Sequence, residues 1–204
     1  ETIENWIETT TEFIQRLYCD WELIEQKFNK GKTLGKITDL KVGISDNHNN
    51  GRSVIILTFD NGLKVVYKPK DLKIEFAFNY FLHWISDQPV DIDFRPLLVI
   101  PCKDYGWVEF VEHEPCTNLQ QIENYFYRCG ALLCIFYILE GTDFHSENII
   151  ANGEYPQVID LETLFHPYVG VDQQETAMPS AKILAEQRAW RSVLRTSFLP
   201  HWMV

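Results

Sequence analysis

With 204 residues, 46% of them apolar, the chain is long enough to bury one large core or two small lobes. A net charge of −11 leaves no basic stripe along which a nucleic-acid backbone could lie. Five cysteines without a C-x-x-C pair argue against a zinc ribbon or a disulfide framework. The longest apolar run, Ala131 to Leu139, is half of what a bilayer span requires. With no signal-like N-terminus, these features predict a cytoplasmic protein with no membrane span.

Apolar positions recur at Ile3, Trp6, Ile7, Phe13, Ile14, Leu17, Trp21, Ile24 and Phe28, a helical period that Gly31 brings to a stop. Three β-rich runs follow, Ile37 to Ile44, Val54 to Phe59 and Leu63 to Tyr67, joined by a polar turn over 45–51 and by Asp60-Asn61-Gly62. They read as a three-stranded antiparallel meander. The run from Ile74 to Ile85 is too long for a strand and predicts a helix, and Leu97 to Ile100 and Trp107 to Val111 are two further strands. Leu119 to Leu139 is again helical and apolar enough to run through a core, and a last helix is expected over 180–191. The order predicts an α+β, two-lobed arrangement with its cleft near residue 112: a helical segment over 1–34, an antiparallel-sheet lobe over 35–112, and a partial, mainly helical lobe over 113–204. The chain starts inside a helix without an initiator Met and ends at Val204 without a closing element, so it reads as a piece of something longer.

Chemistry concentrates at Thr142-Asp143-Phe144-His145-Ser146-Glu147-Asn148 and at Val158-Ile159-Asp160-Leu161-Glu162. A D-x-x-x-x-N spacing followed by a second aspartate is how kinase-type phosphotransferases arrange a catalytic Asp, a metal-binding Asn and a metal-binding Asp. Laid side by side as loop and strand, Asp143, Asn148 and Asp160 would meet at one Mg²⁺ and one hydroxyl nucleophile, which points to ATP as co-substrate. Lys68 ends the run Val65-Val66-Tyr67-Lys68, where a strand fixes the stem of the lysine while the ammonium reaches a phosphate. The turn before Arg52 has one glycine, Gly51, and is not a G-x-G-x-x-G loop. Its backbone would still cradle phosphate, with Asp46 and His48 meeting the nucleotide, its metal or Lys68, unless it is a plain polar hairpin. Glu75 either pairs with Lys68 or complements the start of its own helix. His145 would orient Asp143 or steady developing charge, and Glu162 would share the face of Asp160 if the strand continued. Arg128 reads as a structural salt bridge in preference to a phosphate contact, and the six tryptophans read as core. His83, His113, His166 and His201 have no metal-ligand spacing.

Taken in order, Ser45-Asp46-x-His48-x-x-Gly51-Arg52, Val66-Tyr67-Lys68-Pro69-Lys70, Tyr105-Gly106-Trp107-Val108-Glu109, Asp143-x-His145-x-x-Asn148 and Asp160-Leu161-Glu162-Thr163-Leu164 resemble the dehydratase region of class II lanthipeptide synthetases over nearly the whole chain. The resemblance implies a fold similar to lipid kinases and a two-step reaction. ATP phosphorylates Ser or Thr of a leader-bearing precursor peptide, and phosphate is then eliminated to leave a dehydro amino acid. It assigns Lys68 and Asp46 to the nucleotide and Asp143, His145, Asn148, Asp160 and Glu162 to the active site. The Arg and Thr used in elimination are expected beyond Val204, and no zinc ligands of a cyclase domain are present, so the remaining dehydratase and cyclase regions of a parent chain would be its partners. The kinase motifs by themselves equally permit a phosphotransferase for a small molecule or lipid. A catalytically silent nucleotide- or peptide-binding module is the remaining alternative.

Overall fold

The computed structural model describes residues 2–43, 52–166 and 181–200. It is a mixed α and β structure with an antiparallel sheet. Two compact units account for it, one formed by residues 1–80 with 97–110, the other by 81–96 with 111–204.

In the first unit, α1 (Thr2–Phe28) packs on a five-stranded sheet of order β1-β2-β3-β5-β4. The strands are β1 (Ile37–Val42), β2 (Ile55–Phe59), β3 (Lys64–Lys68), β4 (Val99–Pro101) and β5 (Gly106–Glu109). Phe13, Leu17 and Ile24 fall on one stripe of α1 and are buried with Leu57, Phe59, Val65, Tyr67, Ile100 and Trp107. Burial at this level is worth about 2 kcal/mol for each such side chain. The helix ends where Lys30 and Gly31 turn left-handed, which lets the Gly31 N–H reach the Glu25 carbonyl at 3.0 Å.

The meander forms as its alternation predicts. Its tight turn, however, is a three-residue loop: the Phe59 N–H donates to Leu63 O at 2.9 Å and the Gly62 N–H to Phe59 O at 3.0 Å. Gly62 has φ +84° whereas Asn61 is not left-handed, so the two-residue Asn-Gly turn, which needs both, is not the one used. The meander also grows: β3 pairs with β5 through Val65↔Glu109 and Lys68↔Gly106, and β5 pairs with β4.

The helix α2 (Lys73–Ser86) carries the chain from one unit into the other, with Phe78 and Leu82 buried and Ile74, Phe76, Tyr80 and Trp84 exposed. In the second unit α3 (Leu119–Ile138) starts at Asn118, whose side chain accepts from the Gln121 N–H at 2.9 Å, while Gln121 Oε1 accepts from the Thr117 N–H at 2.7 Å. It buries Arg128, Leu132, Ile135 and Phe136, one stripe at three- and four-residue steps. Phe126, Tyr127 and Ile138 stay exposed, so α3 lines a core and does not run through one. Two short strands, β6 (Ile149–Asn152) and β7 (Tyr155–Val158), form a hairpin, and α4 (Ala181–Trp190) follows. Trp107 is fully buried, but Trp6 and Trp84 are 67% and 52% exposed, which corrects the expectation that the tryptophans are core.

Candidate active site

The site of the second unit is built around the end of α3. Glu140 adopts φ +53° and the Gly141 N–H closes onto Phe136 O at 2.8 Å, capping the helix two residues before Asp143. A side chain at Gly141 has no room, because its Cβ would lie 2.5 Å from the Phe144 ring. Phe144 is fully buried, its ring stacked on Phe136 with centroids 3.7 Å apart and planes 2° apart. Its N–H donates to Thr196 O at 2.8 Å, in a 3₁₀ turn over Val193–Thr196. Burying this one side chain turns its neighbours Asp143 and His145 outward. The second segment works the same way: Leu161 and Leu164 are buried, and Asp160 and Glu162 flank Leu161.

The two segments lie against one another as the spacing predicts. The Thr142 N–H donates to Thr163 O at 3.3 Å and the Thr163 hydroxyl to Thr142 O. The Ile159 N–H donates to Asn148 O at 3.0 Å, extending the β6–β7 register of Ile149↔Val158 by one step. Asn148 thereby stands across from Ile159 and one residue from Asp160.

Within the loop the polar groups hold each other. Asn148 Nδ2 donates to Asp143 O at 2.8 Å, and the Asn148 N–H donates to His145 O at 3.0 Å. With its amide nitrogen on that carbonyl, Asn148 directs Oδ1 the other way. His145 Nδ1 accepts from the Glu147 N–H at 3.3 Å, capping the turn over Ser146–Asn148, while Nε2 lies 3.4 Å from Asp143 Oδ1. An acceptor at Nδ1 makes Nε2 the protonated nitrogen of a neutral ring, which lies near the Asp143 carboxylate without a hydrogen bond aligned on it. Asp143 itself has φ +63°, and its side chain is 58% exposed.

One expectation is corrected. β7 ends at Val158 and Glu162 lies in a turn, its N–H donating to Asp160 Oδ1 at 3.3 Å, so strand alternation does not put Glu162 on the face of Asp160. The turn sets the relation between them instead. Among the described residues no three His, Cys, Asp or Glu side chains are grouped as a closed metal site. The hard oxygens of Asn148 and Asp160 suit Mg²⁺, which keeps few protein ligands and takes phosphate and water oxygens for the rest.

In the first unit Lys68 ends β3 and pairs with Gly106. Strand alternation puts Val65 and Tyr67 on the α1 side and Lys68 on the other face. Glu75, 5% exposed, forms an ion pair with Lys70, Nζ to Oε1 3.4 Å. Asp46 and His48 lie outside the described residues.

Arg128 is the structural residue its position predicts. Its guanidinium donates to Asp93 Oδ1 at 2.5 Å and to Glu154 Oε2 at 2.9 Å, and lies 4.1 Å from the Tyr155 ring, clamping the tip of the β6–β7 hairpin. Burial pushes the Asp93 carboxyl up, but the hydrogen bond and charge of Arg128 outweigh it and hold it below the ordinary value. Glu154 is likewise held low, by its hydrogen bond from Asn124 and then by Arg128. Phe144, Leu161, Thr142 and Thr163 are the positioning residues that sequence reasoning missed. For Phe144 and Leu161 the signal was an apolar residue set between two polar ones in each motif.

The whole chain, residues 1–204, matches a protein family described as a domain of unknown function (DUF4135). It is also similar to the lacticin 481/lactococcin biosynthesis protein LcnDR2 of Lactococcus lactis subsp. lactis, with 30% identity over 208 residues, which take in 98% of this chain and 22% of that protein. The chain thus spans about a fifth of the length of this relative.

Proposed function

The chain belongs to the DUF4135 family, and from that membership, the likeness to a lacticin 481/lactococcin biosynthesis protein and the geometry of the loop pair we propose that it is the kinase-like core of a lanthipeptide dehydratase. In this reading it transfers the γ-phosphoryl group of ATP to Ser or Thr of a leader-bearing precursor peptide, and the parent protein then eliminates phosphate.

The observation that supports the reading best is the joining of the Asp143–Asn148 loop to the Asp160–Glu162 segment through Thr142, Thr163 and the Asn148 carbonyl. It brings a carboxylate for the hydroxyl proton next to an amide and a carboxylate oxygen suited to a divalent ion. Asp143 orients the peptide hydroxyl and takes its proton as the oxygen bonds to phosphorus and ADP leaves. His145, its Nε2 3.4 Å from Asp143 Oδ1, steadies charge that develops beside that carboxylate. Asn148 and Asp160 would hold Mg²⁺, which when bound neutralises charge on the phosphates. Lys68 holds phosphate, with Asp46 as a further nucleotide contact, and Glu75, paired with Lys70, lies on the helix that follows. In elimination the Cα proton and the phosphate leave the same residue, and Glu162 stands beside Asp160 for either departure.

The test is mass spectrometry of the precursor after incubation with ATP, Mg²⁺ and the purified protein, unchanged or carrying Lys68→Ala or Asp160→Asn. Loss of phosphorylation and dehydration in both variants is expected, since one change removes a phosphate cation and the other a metal ligand. Unchanged dehydration in either would refute the kinase assignment.

A further inference from the structure

The C-terminal end of α3 is held from outside the helix. Its last turn contains no basic residue, and the carbonyls of a last turn have no partners within their own helix. Arg195, from the 3₁₀ turn over Val193–Thr196, fills that place: NH2 donates to Tyr137 O, and the guanidinium lies 4.7 Å from the centre of the Tyr137 ring. A cation there also complements the negative end of the helix dipole. The Tyr137 hydroxyl donates in turn to Arg191 O at 3.2 Å, a second hold on the same stretch of chain. Arg195 Nε, by contrast, is buried and has no hydrogen-bond partner among the described residues. A buried donor left so costs stability, which makes this arginine a poor device for stability alone.

The next residue carries the hold into the site. Thr196 is fully buried, and its hydroxyl donates to Val193 O at 2.7 Å and accepts from the Phe198 N–H at 3.3 Å. With its side chain fixed in both roles, its backbone carbonyl takes the Phe144 N–H at 2.8 Å. Phe198 meets edge-on, with centroids 5.4 Å apart, the same Phe136 ring on which Phe144 is stacked. The contacts thus close a circuit within the second unit: from the end of α3 through Gly141 to Phe144, across to Thr196, and back through Arg195 to Tyr137. Asp143 and His145 flank the residue on which the circuit closes.

We propose that Arg195 is a positioning residue for the Asp143 loop: by clamping the Thr196 segment to the end of α3, it fixes the direction from which Asp143 and His145 meet the reacting hydroxyl. The inference rests on the proposed phosphoryl transfer and adds to it a residue outside both sequence motifs. Arg195 acts through Thr196 and Phe144 and not on the substrate. Its effect belongs in kcat and not in the KM for ATP or precursor.

The test uses the purified protein with ATP, Mg²⁺ and precursor, comparing Arg195→Gln, Arg195→Lys, Thr196→Val and Thr196→Ser well below their thermal unfolding midpoints. Arg195→Gln is expected to lower kcat for phosphorylation about tenfold or more, with both KM values within about twofold. Arg195→Lys keeps a donor for Tyr137 O but loses the planar fork over the ring, so it should fall between. Thr196→Val should resemble Arg195→Gln, and Thr196→Ser, which keeps the hydroxyl, should recover most of the rate. Hydrogen exchange followed by mass spectrometry reads the geometry without activity: the amides of 143–148 should exchange at least about tenfold faster in Arg195→Gln. A lowered unfolding midpoint with kcat and loop exchange unchanged would make the clamp merely structural and overturn the proposal. So would a rise in either KM at constant kcat. Should Arg195→Gln not fold, Arg195→Lys and the Thr196→Val and Thr196→Ser pair decide by the same measures, and a kcat unchanged in all three overturns the proposal. Failure of the unchanged protein to phosphorylate any precursor removes the kinase reading and the catalytic role of Arg195 together, whereas full activity in the unchanged protein and in Arg195→Gln alike removes the positioning role alone.

Discussion

Replacing Phe144 with Ala tests whether one buried ring holds the catalytic loop. Phe144 is fully buried and stacked face to face on Phe136 at 3.7 Å, with Gly141 closed against its edge. Truncation removes about 100 Å² of buried apolar surface, or about 2.5 kcal/mol at about 25 cal/mol per Å², and leaves a hole that adds about 1–2 kcal/mol where neighbours do not collapse. The total of about 3–5 kcal/mol corresponds to a drop of about 10 °C in the unfolding midpoint of a chain of this size. Phe144→Leu refills most of the hole and should cost less than half as much. Urea unfolding followed by tryptophan fluorescence measures the cost, and precursor phosphorylation under folding conditions measures the consequence. With its anchor gone, the loop no longer holds Asp143 and His145 in one geometry, and turnover should fall at least about a hundredfold, as misplacement by an ångström commonly does. A destabilisation below about 1 kcal/mol would refute the packing argument. Full destabilisation with unchanged turnover would refute the link from packing to chemistry.

Two further perturbations reach other parts of the site. Asp143→Ala should block phosphorylation yet leave measurable phosphate loss from a synthetic phosphoserine precursor, if elimination relies on groups outside this chain; no product from either substrate by mass spectrometry would show one aspartate serving both steps. The Arg128 clamp makes a prediction about acid. Asp93 and Glu154 are held below their ordinary values when folded, so their contribution to stability is complete above the unfolded carboxylate range and is lost as pH falls through the lower, folded values. Arg128→Met should flatten the acid side of the stability profile between about pH 5 and about pH 2, read as urea midpoints, and an unchanged acid slope would show that the clamp is not electrostatic.

The long helices were legible because a 3.6-residue apolar period is a local property: Phe13, Leu17 and Ile24 announce α1 without help from the rest of the chain. The meander was legible for the same reason, through alternation and its turn residues. Pairing of β3 with β5 was not, since Lys68↔Gly106 joins residues far apart in sequence and nothing local encodes it. β6 escaped notice because Ile149–Asn152 is four residues long and follows directly on a 3₁₀ turn. In the site, the charged members stood out as residue types, and the structure brings Asp143, His145, Asn148 and Asp160 into one pair of adjoining segments. The ion pair of Glu75 with Lys70 went unread because a sequence ranks lysines by motif. Exposure of Trp6 and Trp84 was hidden as well: a large ring on a helix reads as core until the packing of its face is known.

The β6–β7 hairpin works as a ruler between two motifs. Asn148 and Asp160 are separated by twelve positions, and that interval is the outline of the hairpin: out along β6, around Gly153, and back along β7 to the Ile159 bond on Asn148. A single residue inserted within either strand slips the register by one and turns the side chains beyond it to the opposite face. The same insertion at the tip leaves the open end where it was, but moves Glu154 away from Arg128. Length change between the two motifs therefore has a parity and a place. In any related chain the interval can grow without harm only at the tip, and only where the residue facing that tip has changed with it.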